Sequence, residues 1–174
     1  MKRNLAVLAA SAACVSLVLW GTTVKKNLPS LPVVHADAPQ GCSLETVAGN
    51  WGFTLTGTLL LPTGPVPAAA VGTLAANGAG NLSGTEARNV GGGFANETLT
   101  GTWTVNPDCT AMGTVKIYES GALVRTSGIS LVFDENSTEW RLVQQSLTLP
   151  DGTSLPVVLT GDAKRMFPQS SNQQ

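Results

Sequence analysis

Thr98-Leu99-Thr100-Gly101-Thr102-Trp103-Thr104-Val105-Asn106-Pro107-Asp108-Cys109 is the stretch that decides the fold of this chain. Leu99, Gly101, Trp103 and Val105 share one parity, and Thr98, Thr100, Thr102 and Thr104 share the other. Strict alternation of this kind marks a strand with one face in a core and the other in water. Asn106-Pro107-Asp108 then turns the chain, with proline at the second turn position, where its fixed φ fits.

The same grammar runs outward in both directions. Trp51, Phe53, Leu55 and Leu59 alternate with Thr54, Thr56 and Thr58. Val115 and Ile117, and later Ile129, Leu131 and Phe133, keep to one parity within their own runs. Asn77-Gly78-Ala79-Gly80, Gly91-Gly92-Gly93, Asp134-Glu135-Asn136-Ser137 and Pro150-Asp151-Gly152-Thr153 punctuate the runs with residues that accept turn geometry. No helical periodicity of useful length follows Trp20. The pattern predicts strands at 50–60, 68–76, 81–89, 95–105, 110–118, 123–133, 139–149 and 154–166. Pro62, Pro65 and Pro67 cannot donate to a ladder, so 61–68 reads as a long stiff loop.

Short strands at near-regular spacing suit an up-and-down barrel or a sandwich. Strand direction separates the two. If strands simply alternate, the segment before the first strand and the turns at 77–80, 106–109 and 134–138 share one end. Cys42 and Cys109 then meet at that end without being forced there. The expected fold is therefore all-β: a single eight-stranded antiparallel up-and-down β-barrel. The other end carries the loops at 61–68, 89–95, 119–122 and 150–153 and is the expected mouth, with a proline-stiffened rim facing a glycine-loosened flap.

Residues 1–38 read as a signal peptide or an N-terminal anchor with a linker, 39–167 as the barrel domain, and 168–174 as a disordered polar tail. Met1-Lys2-Arg3-Asn4 precedes an uncharged run from Leu5 to Trp20, which is short for a permanent span. Ala36-Asp37-Ala38 offers a cleavage site. The chain is expected to be exported, to the periplasm or beyond. Membrane attachment follows only if residues 5–20 are retained as an anchor.

Setting that segment aside leaves six basic residues against ten acidic ones, dispersed along the chain. This balance excludes nucleic acid as a partner and supplies no polybasic patch for an anionic membrane. The two remaining cysteines, Cys42 and Cys109, are expected to form a disulfide under oxidising conditions, worth roughly 4 kcal/mol through the denatured chain. The only histidine is His35, so the barrel offers no Ser-His-Asp triad, no Cys-His dyad and no ordinary zinc site. No metal and no cofactor are implied.

Inward positions nominate a lining of Phe53, Leu55, Leu99, Trp103, Ile117, Leu131, Trp140 and Val157. An eight-stranded barrel is just wide enough to be filled by side chains or to hold one small ligand. The aromatic residues therefore either fill the core or border a cavity. Glu86 and Arg88 share a face with Leu82, so they point inward near the mouth unless a bulge turns them to solvent. Glu86, Glu97 and Glu119 read as single carboxylates on different strands.

Gly49-x-Trp51 on the first strand and Arg165 on the last resemble the lipocalin signature, in which an arginine covers the tryptophan where the barrel closes. The resemblance implies a structural, barrel-closing role for Trp51 and Arg165. The lipocalin Thr-Asp-Tyr motif is absent. Val71-Gly72-Thr73-Leu74, Gly80-Asn81-Leu82-Ser83-Gly84-Thr85 and Thr100 through Thr110 are similar to uncharacterised secreted bacterial barrels of the allene-oxide-cyclase type, within the calycin-like group. That likeness spans residues 42–165 and implies fold and export. Three readings of function follow. The first is a barrel that binds a small, mostly apolar molecule. The second is a cofactor-free cyclase or isomerase, with Glu86 as its carboxylate. The third is a surface or structural module with a filled core.

Overall fold

The computed structural model describes residues 41–134 and 137–166. Both the leader with its cleavage sites and the polar tail lie outside them. Among the described residues a short helix, α1 (Leu44–Val47), precedes eight strands. These are β1 (Gly49–Leu61), β2 (Gly64–Ala76), β3 (Asn81–Val90), β4 (Gly93–Val105), β5 (Thr110–Glu119), β6 (Ala122–Asp134), β7 (Glu139–Thr148) and β8 (Val157–Arg165). Each strand pairs antiparallel with the next, and β8 pairs with β1, so the sheet closes into a barrel. Closure leaves no strand as a free edge along its whole length. A sandwich is excluded.

Turn chemistry explains where the strands end. Gly91 and Gly92 sit at φ of 58° and 93°, the mirror-image turn whose twist matches a two-residue hairpin. The 89–95 segment is accordingly a tight turn with Val90 paired to Gly93, and not the loose flap expected from three glycines. The 61–68 loop is also shorter than expected. Leu61 pairs with Gly64, and Pro65 and Pro67 stand inside β2 opposite Leu60 and Thr58. They are tolerated because β2 begins to pair with β3 only at Ala68, so at those prolines one side of β2 is an edge that demands no N–H. Conversely β8 starts at Val157, later than the expected 154. Pro156 cannot donate, and its carbonyl instead accepts from Leu60 N at 2.8 Å.

Two bulges set which residues face inward. One lies between Ile117 and Tyr118 against β6, the other between Gly128 and Ile129 against β7. The second shifts the inward parity of β7 from Trp140 and Leu142 to Leu147.

The end bearing the N-terminal segment is closed by covalent and polar ties. Cys42 and Cys109 are disulfide-bonded, with Cα atoms 4.9 Å apart. Ser43 caps α1 by accepting from Thr46 N. Val47 and Trp51 are fully buried, and the Trp51 indole donates to Val47 O at 3.2 Å. Arg165 covers Trp51, its guanidinium carbon 4.8 Å from the ring centroid. The same group donates to Thr46 O and Ala48 O at 2.8 Å each and to Ser137 O at 3.1 Å. One cation thus ties α1, β1 and the approach to β7 together. Trp51 and Phe133 pack at 5.7 Å, and Trp103 meets Phe133 edge-on at 5.4 Å. These rings form the floor of the interior.

Candidate functional site

Above that floor the barrel encloses a cavity of about 280 Å³. Its walls are mostly aliphatic and aromatic: Phe53, Leu55, Leu99, Trp103, Ile117, Leu131 and Trp140 all border it. Seven of the eight nominated lining residues are therefore brought together around one space. Val157 is not. It stands opposite Leu59 at the start of β8, and that part of the wall comes from Leu155 and Leu159. The aromatic residues divide by depth. Trp51 and Phe133 fill the closed end, whereas Phe53, Trp103 and Trp140 border open space.

The lining also includes Leu59, Ala68, Val90, Leu149 and Leu155. These residues adjoin the turns at 62–63, 91–92 and 150–153, so the cavity extends toward that end of the barrel. Inward glycines contribute less room than their missing side chains suggest. A Cβ at Gly84 or Gly101 would overlap the carbonyl oxygen of Thr73 or Thr114. These glycines let neighbouring strands approach closely, which a small barrel needs.

One wall of the cavity is charged. Glu86 on β3 stands directly opposite Glu97 on β4, and both side chains are covered, at 4% and 0% exposure. Arg125 on β6 reaches them across the interior. Its Nη1 donates to Glu97 Oε1 at 2.7 Å, and its Nη2 to Glu86 Oε1 at 2.7 Å and Glu97 Oε2 at 2.6 Å. Arg88 Nε donates to Glu97 Oε1 at 2.9 Å. Arg88 Nη2 lies 3.7 Å from Glu119, which is half-exposed at the rim. The bulge in β6 lets Val124 and Arg125, sequence neighbours, both border the cavity. Ser127 and Gln144 add a neutral polar pair, with Gln144 Nε2 donating to Ser127 Oγ at 3.1 Å.

The two carboxyls respond to this setting in opposite directions. Burial, with the hydrogen bond to Glu97, pushes the Glu86 carboxyl up to about 7, against the pull of Arg125 and Arg88. Burial also raises Glu97. Hydrogen bonds from Arg125, Glu86 and Arg88, together with the Arg125 charge, outweigh it and hold Glu97 below the usual carboxylate range. Glu97 is the ionised partner of the pair and Glu86 the one that titrates near neutrality.

Sequence parity had placed Glu86 and Arg88 inward conditionally, and the absence of a bulge in β3 makes that the outcome. The expectation that the carboxylates stand singly is wrong, because the pairing of β3, β4 and β5 brings Glu86, Glu97 and Glu119 to one place around two arginines. Arg125 was missed altogether. Its signal was present: it shares parity with Ser127, Ile129 and Leu131. Glu97 likewise shares parity with Leu99 and Trp103. Among the described residues no group of three His, Cys, Asp or Glu side chains is arranged to hold a metal ion.

No protein-family model matches the chain, and no curated protein matches it in sequence. Solved structures resemble it in shape. EF1p2_mFAP2b bound to DFHBI aligns with a TM-score of 0.50 and 14% identity, over 74% of this chain and 98% of that one. The redesigned beta barrel mFAP1 bound to DFHBI aligns at 0.46 and 19%, over 71% and 98%. The S-type phycobiliprotein lyase CPES from Guillardia theta aligns at 0.37 and 8%, over 72% and 92%. At such identity the likeness is one of barrel fold, and what those proteins bind is a property of those proteins.

Proposed function

We propose that this protein binds a small, mostly apolar molecule inside the barrel. The observation that carries the reading is the cavity of about 280 Å³, apolar over most of its wall and charged on one side. Binding sites for small molecules combine apolar walls with a few polar groups in this way. A mostly apolar wall of this kind gains from any apolar surface it takes out of water. The lipocalin-like stacking of Arg165 on Trp51 supports grouping the chain with calycin-type barrels. The disulfide and the basic-then-apolar leader support export to an oxidising compartment.

The test is titration with N-phenylnaphthylamine, a neutral apolar dye whose emission rises in dry surroundings. Wild-type protein should give a saturable rise. Ala70→Phe, which adds a ring to an inward position bordering the cavity, should abolish it while far-ultraviolet circular dichroism stays unchanged. A rise that Ala70→Phe does not alter means the dye sits elsewhere. Native mass spectrometry of protein from its own source would then name a retained ligand.

One observation favours a second reading, the cofactor-free isomerase or cyclase. Glu86 borders the cavity, is covered, and has its carboxyl raised to about 7, which suits proton transfer near neutrality. Under this reading Glu86→Gln removes turnover and leaves dye binding intact. Under the binding reading no turnover exists to remove.

A further inference from the structure

The charged wall selects the ligand's head group. Resting on the binding reading above, we propose that the ligand is a monoanionic amphiphile, its carboxylate held near the mouth by Arg88 and Arg125 and its apolar body in the barrel.

The charged groups lie at the mouth side of their strands. Arg88 is close to the β3–β4 turn, Glu97 follows that turn, and Arg125 follows the β5–β6 turn. The wall from there to the Trp103 and Trp140 level is apolar apart from the Ser127–Gln144 pair. A molecule entering from the mouth therefore meets its polar partners at one end of the cavity only.

What it meets there includes two guanidiniums. The cluster covers Glu97 and Glu86, at 0% and 4% exposure, and leaves Arg88 at 23%, Arg125 at 16% and the rim carboxylate Glu119 more accessible. Glu97 does not border the cavity, whereas both arginines do. With Glu86 protonated, the two guanidiniums face two carboxylates, covered Glu97 and the rim residue Glu119, and only Glu119 is exposed enough for a ligand carboxylate to displace.

Arg88 also has donors to spare. Only its Nε makes a hydrogen bond, to Glu97, and its Nη2 is 3.7 Å from Glu119, beyond hydrogen-bond reach. A guanidinium offers five N–H groups in a planar fork that matches a carboxylate. The open edge of Arg88 is such a fork at the top of an apolar space. Glu119 is the competing anion, half-exposed on the rim. A ligand carboxylate would take over the part Glu119 now plays weakly.

The test compares three probes of one chain length on the full chain by titration calorimetry near neutral pH: decanoate, decanol and methyl decanoate. Decanoate should bind at least about tenfold tighter than the neutral probes, as for a hydrogen-bonded charge. Arg88→Gln should bring decanoate down to the decanol level and leave decanol nearly unchanged. Glu119→Gln should strengthen decanoate about twofold to fivefold, the scale of a rim ion pair, without altering decanol. That variant changes an exposed side chain, so the test survives even if Arg88→Gln fails to fold. Equal binding of decanoate and decanol, or a Glu119→Gln variant that leaves decanoate unchanged, overturns the head-group assignment. Dye binding with none of the three probes bound overturns it as well and leaves the binding reading standing. Failure of the dye and all three probes overturns the binding reading itself.

Discussion

Glu86 and Glu97 face each other directly across β3 and β4 and are bridged by a single Arg125 nitrogen, Nη2, at 2.7 and 2.6 Å. Burial, with the hydrogen bond to Glu97, raises Glu86, while hydrogen bonds from Arg125, Glu86 and Arg88 hold Glu97 down against burial, so the two shift in opposite directions. Among the described residues, charge and burial coincide with the cavity wall here, at Glu86.

Stability should therefore fall as pH rises through the weakly acidic range. The folded Glu86 carboxyl is raised from 4.5 to about 7. Between those values the unfolded chain has released the proton and the native state still holds it, so unfolding becomes more favourable with pH. The contribution is fully present below 4.5, is lost progressively up to about 7, and is flat above. Its size is at most on the order of 3 kcal/mol. Glu97 acts oppositely, with stability present above its unfolded value and lost only at lower pH. Urea midpoints at about pH 5 and about pH 8 should differ for the wild type and converge for Glu86→Gln.

Arg125→Met should destabilise the barrel by roughly 3–5 kcal/mol, because two covered carboxyls lose the cation that compensates them. Adding Glu97→Gln to that variant should restore part of the loss, since the stranded charge is then removed. Thermal melts of the single and double variants read both effects. An additive double variant would mean that Glu97 does not depend on Arg125.

Trp51→Ala should cost roughly 3–5 kcal/mol, as for a large buried aromatic side chain. Arg165→Ala should cost less, and part of that cost should vanish when Trp51 is already gone. A coupling of about 0.5–3 kcal/mol in the double-mutant cycle is the expected result. Coupling near zero would show that the guanidinium works only through the carbonyls of Thr46, Ala48 and Ser137.

Reducing the Cys42–Cys109 bond, or replacing both residues by serine, should lower stability by about 4 kcal/mol while leaving the strands intact. Non-reducing peptide mapping should recover the two cysteine peptides linked. Dye affinity should change little, because the bond sits at the closed end of the barrel and the cavity extends toward the other.

Alternation of apolar and threonine residues was enough to place the strands, their order and the end at which Cys42 meets Cys109, because a half-buried strand imposes a period of two on its own residues. The pairing of Arg165 with Trp51 was legible for the same reason: the first and last strands of a closed barrel must be neighbours, and both residues carried the inward parity. Prolines misled locally. Pro65 and Pro67 read as loop because the sequence does not reveal on which stretch β2 lacks a second neighbour. The charged wall was the larger omission. Glu86, Glu97 and Arg125 each carry an inward parity within their own strands, but parity says only which face a residue takes. How far each strand is slid along the next sets the height at which side chains meet, and bulges such as the one beside Arg125 reset it. Between β3 and β4 that stagger is fixed by the tight turn at Gly91 and Gly92, which a run of three glycines did not specify, and between β5 and β6 by the bulge. The sequence alone thus determined the barrel, its disulfide and its closing pair. Only the tertiary structure brought two carboxyls and two guanidiniums to one level beside an open cavity, because that meeting depends on the registers of β3, β4, β5 and β6 and on the bulge beside Arg125.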